Sequence, residues 1–138
     1  MALSRRFVGV VKLVSLIPVC FAAVAVQKSV AQPQAKVIKA DMQGKDYVRL
    51  LGGPPETCSL RSGAVALQPG KTVGKHSTGD HEEVIIVLEG EGALLLNENR
   101  ELPLKVGTLA YCPPDTEHDV KNTGTIPLRY IYVVAKTQ

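Results

Sequence analysis

Past residue 31 the apolar residues come in short runs, each cut off by Gly, Pro or Asn. The runs are Tyr47 to Leu51, Ser59 to Leu67, Val84 to Leu88, Ala93 to Leu96, Leu102 to Val106, Thr108 to Tyr111 and Leu128 to Val134. They are short, rich in β-branched and aromatic residues, and bounded by turn formers such as Gly52-Gly53-Pro54-Pro55 and Gln68-Pro69-Gly70, which is the pattern of β-strands. No window beyond residue 31 keeps the spacing of an amphipathic helix over eleven residues. An all-β sandwich or barrel follows. Val84-Ile85-Ile86-Val87-Leu88 is apolar at every position, so both of its faces are expected to be covered, by a second sheet or by a partner subunit.

The first 31 residues follow another pattern. Arg5 and Arg6 precede Leu13 to Val26, an uncharged stretch containing Pro18, and Ser29-Val30-Ala31 places small residues where a signal peptidase cuts. This is the layout of a secretory signal peptide, with cleavage before Gln32. The apolar run falls short of the ~20 residues that span a bilayer, so the mature chain is expected to carry no membrane span. Pro18 and Val19 suit a lipobox around Cys20 poorly. Ser4-Arg5-Arg6 leaves the twin-arginine route open beside the general one. The expected organisation is a signal peptide over 1–31, a leader over 32–45 and one β-barrel domain over 46–138 in an exported protein, periplasmic or secreted.

Charge follows the same division. The chain of 138 residues has a formal charge of +3 from 16 basic and 13 acidic groups. Four basic groups and no acidic one fall in the first 31 residues, leaving 16 less 4, or 12, against 13 afterwards. A nearly neutral mature chain with no Lys/Arg cluster among aromatics excludes nucleic acid as a partner. A hydrophobic share of 45% excludes disorder. Beyond the signal only Cys58 and Cys112 remain, and they either pair or serve as two small hydrophobes. Without a Cys-x-x-Cys element, a zinc ribbon or thioredoxin-like centre is not indicated.

The chemistry gathers in two segments, Gly70 to Gly92 and Gly107 to Asn122, which hold all three histidines of the chain. His81 and Glu83, two residues apart, share one face of a strand if both lie on it. Gly79-Asp80 reads as a turn that leaves the direction of His76 open. Imidazole and carboxylate groups converging inside a barrel suit Mn, Fe, Ni, Zn or Cu. A solvated acidic turn with His81 exposed, and a metal-free barrel with ordinary hydrogen-bonded histidines, are the competing readings. Tyr47, Tyr111, Tyr130 and Tyr132 fit core or interface positions, with Tyr111 also a candidate for the barrel mouth. No Ser-His-Asp arrangement, P-loop or dinucleotide fingerprint is present.

Gly70, His76, Glu83 and Gly90 match the spacing Gly-x5-His-x-His-x3–4-Glu-x6-Gly, and Gly107, Pro113, His118 and Asn122 match Gly-x5-Pro-x-Gly-x2-His-x3-Asn. In these two motifs the chain resembles the cupin superfamily, over roughly Ser59 to Val134. The resemblance implies a double-stranded β-helix (jelly-roll) barrel with a divalent transition metal held inside by the motif residues. Thr78 stands where the second motif histidine is normal, and Asp115 replaces a glycine, a mild change because Asp tolerates positive φ. His81 is the candidate to restore the lost ligand, which makes the expected set His76, His81, Glu83 and His118, with Glu82 as the alternative carboxylate. The resemblance also implies a small organic or sugar-like ligand and pairing into a homodimer. Metal-assisted oxidation, isomerisation or lyase chemistry, plain ligand binding or sensing, and a metal-free structural barrel all stay open.

Overall fold

The computed structural model describes residues 32–137. The signal-peptide reading lies outside the described residues. Nine strands are present: β1 Tyr47–Gly52, β2 Leu60–Leu67, β3 His76–Ser77, β4 His81–Glu89, β5 Glu91–Leu96, β6 Glu101–Lys105, β7 Leu109–Cys112, β8 Glu117–Asn122 and β9 Leu128–Lys136. They form a five-stranded sheet in the order β1-β2-β9-β4-β7 and a four-stranded sheet in the order β3-β8-β5-β6, with every pairing antiparallel. The two sheets close on each other as the expected all-β, double-stranded β-helix barrel. Among the described residues no helix is long and apolar enough to cross a membrane.

Strand alternation decides what fills the barrel. Along β4, Glu83, Ile85 and Val87 are buried while Ile86 and Leu88 are exposed. Ile85 and Val87 meet Leu128 and Tyr130 of β9 and, from the other sheet, Leu94, Leu104 and Val120. Ile85, Leu94 and Leu128 are 0% exposed, and each such side chain stabilises the fold by about 1.5–3 kcal/mol. Gly92 makes room for this packing, since a Cβ there would lie 2.6 Å from Leu128 Cδ2 and 2.4 Å from the Lys121 carbonyl oxygen.

Within the single chain, one face of Val84 to Leu88 is covered. The second sheet covers the inward face, and Ile86, Leu88 and, on β7, Leu109 and Tyr111 stay exposed on the other. The leader covers a neighbouring part of that outer face, where Ala40 and Met42 pack on Val48, Leu50, Ala64, Ala66 and Ile131. At the sheet edges, β1 carries a register shift between Arg49 and Leu51. β6 carries Pro103, whose missing N–H is tolerated at an edge.

Candidate metal centre

Three of the four expected ligands meet. β3 and β8 pair His76 directly opposite His118, with ring centroids 4.3 Å apart and planes tilted by 57°. Glu83 comes from β4 in the facing sheet, chosen by strand parity. Glu82, one residue earlier, points outward and accepts a 3.1 Å hydrogen bond from Tyr111. One ligand atom from each of His76, Glu83 and His118 lies within 4.8 Å of the others.

The state of each ring nitrogen shows what this triad is built for. His76 Nδ1 is 2.8 Å from the Gly74 carbonyl oxygen, and His118 Nδ1 is 3.2 Å from that of Thr116. A carbonyl can only accept, so each Nδ1 carries a proton, which leaves Nε2 as the ring nitrogen free to offer a lone pair to a ligand. Outer contacts of this kind fix the orientation of metal-binding imidazoles. His118 is 1% exposed, and its Nε2, although 3.3 Å from Glu83 Oε2, has no aligned hydrogen-bond partner. A buried lone pair facing a carboxylate is unfavourable unless a cation or a proton lies between them. The donors therefore fit a divalent transition metal, with two imidazole nitrogens and one carboxylate.

Protons compete for the same gap. Burial pulls the His118 pKa down, but the Glu83 carboxylate, the Thr116 carbonyl and the charge of Asp119 together leave it above the ordinary imidazole value. Beside Glu83 in register sits Cys112, whose thiol is pushed up to about 11 by burial and then by the Glu83 charge. It stays protonated and packs as a core residue. Cys58 is exposed and both thiols are free, so the two cysteines do not pair.

Thr78 and His81 have other work. The Thr78 hydroxyl donates to the Pro113 carbonyl at 2.8 Å and accepts from the Thr116 amide at 2.9 Å, tying the two motif segments together where the second histidine is missing. His81 does lie at the head of the Glu83 strand, two residues away, but it does not join the triad. Its Nδ1 is 2.7 Å from Asp80 Oδ1 and its Nε2 is 3.1 Å from Arg61 Nη2, so both ring nitrogens are engaged elsewhere. Asp115, in the motif's glycine position, adopts φ 55° as expected. Tyr111 does not reach the mouth, because it lies on the outer face with Glu82.

His76 and Glu83 open into a cavity of about 570 Å³. Its apolar wall includes Val65, Val73, Val120 and Val134, and its polar rim includes Tyr47, Arg49, Arg61 and Tyr132. The tyrosine hydroxyls are 3.0 Å apart. Gly63 is required beneath them, since a Cβ there would meet the Tyr132 and Tyr47 rings at 2.7 and 2.8 Å. Sequence reasoning missed the two arginines. The one signal for Arg61 was a charge in the same alternating register as Val65 and Leu67.

Residues 63–134 match the family model described as the cupin domain. The chain belongs to the cupin family. Among curated cupin-like relatives, a glucose-6-phosphate isomerase of Pyrococcus abyssi is 36% identical over 87 residues, covering 54% of this chain and 46% of the relative. An oxalate-binding protein of Thermotoga maritima is 31% identical over 68 residues, covering 49% and 55%. The chain thus spans about half the length of these relatives. A cupin 2 conserved barrel domain protein from Salinispora arenicola superposes with TM-score 0.64 at 20% identity, covering 75% of this chain and 92% of that one, a likeness of fold.

Proposed function

We propose that this cupin binds one divalent transition metal through His76, Glu83 and His118 and uses it to hold a small, oxygen-rich organic or sugar-like ligand. The observation that carries the reading is the buried, partnerless Nε2 of His118, aimed at Glu83 while its Nδ1 is pinned to a backbone carbonyl. Three protein ligands leave coordination positions open, and a bound metal would supply Lewis-acid polarisation of a ligand oxygen. The protein's own part is to orient both imidazoles and to wall the ligand with valines. Two relatives are named for glucose 6-phosphate and for oxalate, both small and oxygen-rich, which favours this ligand class. Oxidation, isomerisation and lyase chemistry are the reaction classes to assay, with simple binding or sensing as the non-enzymatic counterpart.

Elemental analysis of purified protein is the test. About one Mn, Fe, Ni, Zn or Cu per chain is expected in the wild type and in His81→Ala, and much less in Glu83→Gln; a wild type that takes up no metal overturns the reading. Turnover across small acids, phenols and sugars then separates enzyme from binder. Export belongs to the same proposal. A mature amino terminus at Gln32 in the periplasmic or secreted fraction supports it, and an uncleaved chain retained in the cytosol overturns it. We also propose a homodimer, because the exposed Ile86, Leu88 and Leu109 extend an apolar face that the leader has already begun to cover. A monomer in size-exclusion chromatography would remove it.

A further inference from the structure

We infer that Arg61 is the anion-recognition residue of the cavity, set in place by His81 and Asp80, and that the ligand is a small organic acid whose carboxylate Arg61 receives. This deepens the metal-centre reading and rests on it for the other end of the ligand. Arg61 pairs with Val134, and Val134 pairs with Glu83, so the three stand in one row across β2, β9 and β4. Residues directly opposite in an antiparallel ladder share a face, which sends Arg61 into the same cavity as Glu83, with backbones about 10 Å apart across two strand spacings.

The guanidinium is held by an ordered chain of donors and acceptors. Asp80 accepts the Nδ1 proton of His81 at 2.7 Å. His81 Nε2 must then be the lone-pair nitrogen, and it accepts from Arg61 Nη2 at 3.1 Å. Lys136, 3.4 Å from Asp80 Oδ2, steadies the far end. Among the described residues no carboxylate lies within 4.0 Å of Arg61. A permanently charged fork with one N–H spent on an imidazole keeps its other donors for a planar, two-oxygen anion. Arg49 shares the rim but leans on Glu56, 4.0 Å away, so the two arginines are not equivalent. Val134 stands between Arg61 and Glu83 in that row, and Val65 and Val120 also line the cavity, an apolar wall that suits a short carbon chain. His81 is thus a positioning residue for the ligand and leaves the metal to the other three.

The test titrates malonate, with glucose as the uncharged probe, into metal-free and Zn²⁺-loaded protein, following the Arg61 Nε and His81 ring resonances. Malonate is expected to shift both, and Arg61→Gln to weaken it at least tenfold with Zn²⁺ uptake unchanged. His81→Ala should weaken it several-fold, and His81→Gln, which restores an acceptor toward Arg61, should recover most of that loss. None of the three variants should alter the response to glucose. Malonate binding unchanged in Arg61→Gln, or Zn²⁺ lost in His81→Ala, overturns the inference. If the wild type binds no Zn²⁺, the metal reading falls, while malonate shifts at Arg61 in metal-free protein still uphold this one.

Discussion

His118 and Asn122 lie four residues apart on the same face of β8, are 1% and 0% exposed, and differ completely in how their polar atoms are satisfied. At one end of the barrel, Asn122 Nδ2 donates to the carbonyls of Leu67 and Ile126 at 2.8 Å each, while its Oδ1 accepts from the Gly124 amide at 2.9 Å. At the other end, His118 keeps one nitrogen in reserve. Both are polar residues of the same motif, but only the second has a side-chain nitrogen with no aligned hydrogen-bond partner. The contrast separates a residue that staples loops from one that waits for a ligand, and it divides the barrel into a closed end and a working end.

The largest expected effect comes from the closed end. Asn122→Ala strands two carbonyls and an amide, and at ~1–3 kcal/mol for each buried orphan the fold should lose about 3 kcal/mol or more in chemical denaturation. Metal bound per folded molecule should stay unchanged, and a proportional loss of metal would break the contrast. His118→Ala should do the reverse, lowering metal affinity by more than the ~100-fold that removal of an outer partner can cause, with a smaller change in metal-free stability. Competition with a chelator would measure it.

A pH series sharpens the division, because Asn122 does not titrate. The His118 pKa is raised in the folded protein. In the metal-free state the His118–Glu83 pairing should stabilise fully below the ordinary imidazole value, about 6.5, and this contribution should fade as pH rises through the raised value. Metal uptake has the opposite sign, since it must displace the proton. It should weaken as pH falls through that value, by up to about tenfold per pH unit. A pH-independent metal affinity between 8 and 6 would contradict it. The smallest effect belongs to Thr78, between the two ends. Thr78→Val should cost about 1–2 kcal/mol for the stranded Pro113 carbonyl and Thr116 amide, with at most a modest change in metal affinity.

The same division governs what could be read from the sequence. β4, β5, β6 and β9 announce themselves because their inward positions are mostly apolar, and their extents differ from expectation by a few residues at the ends. β8 and the two-residue β3 were not anticipated as strands. β8 places His118, Val120 and Asn122 inward, so the alternation that marks a half-buried strand is written there in polar residues. The residues that carry the chemistry therefore hide the element that carries them, and the motif spacing had to locate them instead. Spacing could not decide His81. Strand parity does put it beside Glu83, but its ring is settled by Asp80 next to it in sequence and by Arg61, 20 residues earlier.

The irregularity in β1 has a bearing on how such a barrel survives among its own copies. β1 is the outer strand of the sheet that carries Glu83, and a straight edge there would offer unpaired N–H and C=O groups to any passing extended segment. The shift between Arg49 and Leu51 breaks that ladder, and β6 interrupts the edge of the opposite sheet with Pro103. At these two edges the barrel thus withholds from other chains the template on which cross-strand aggregates grow.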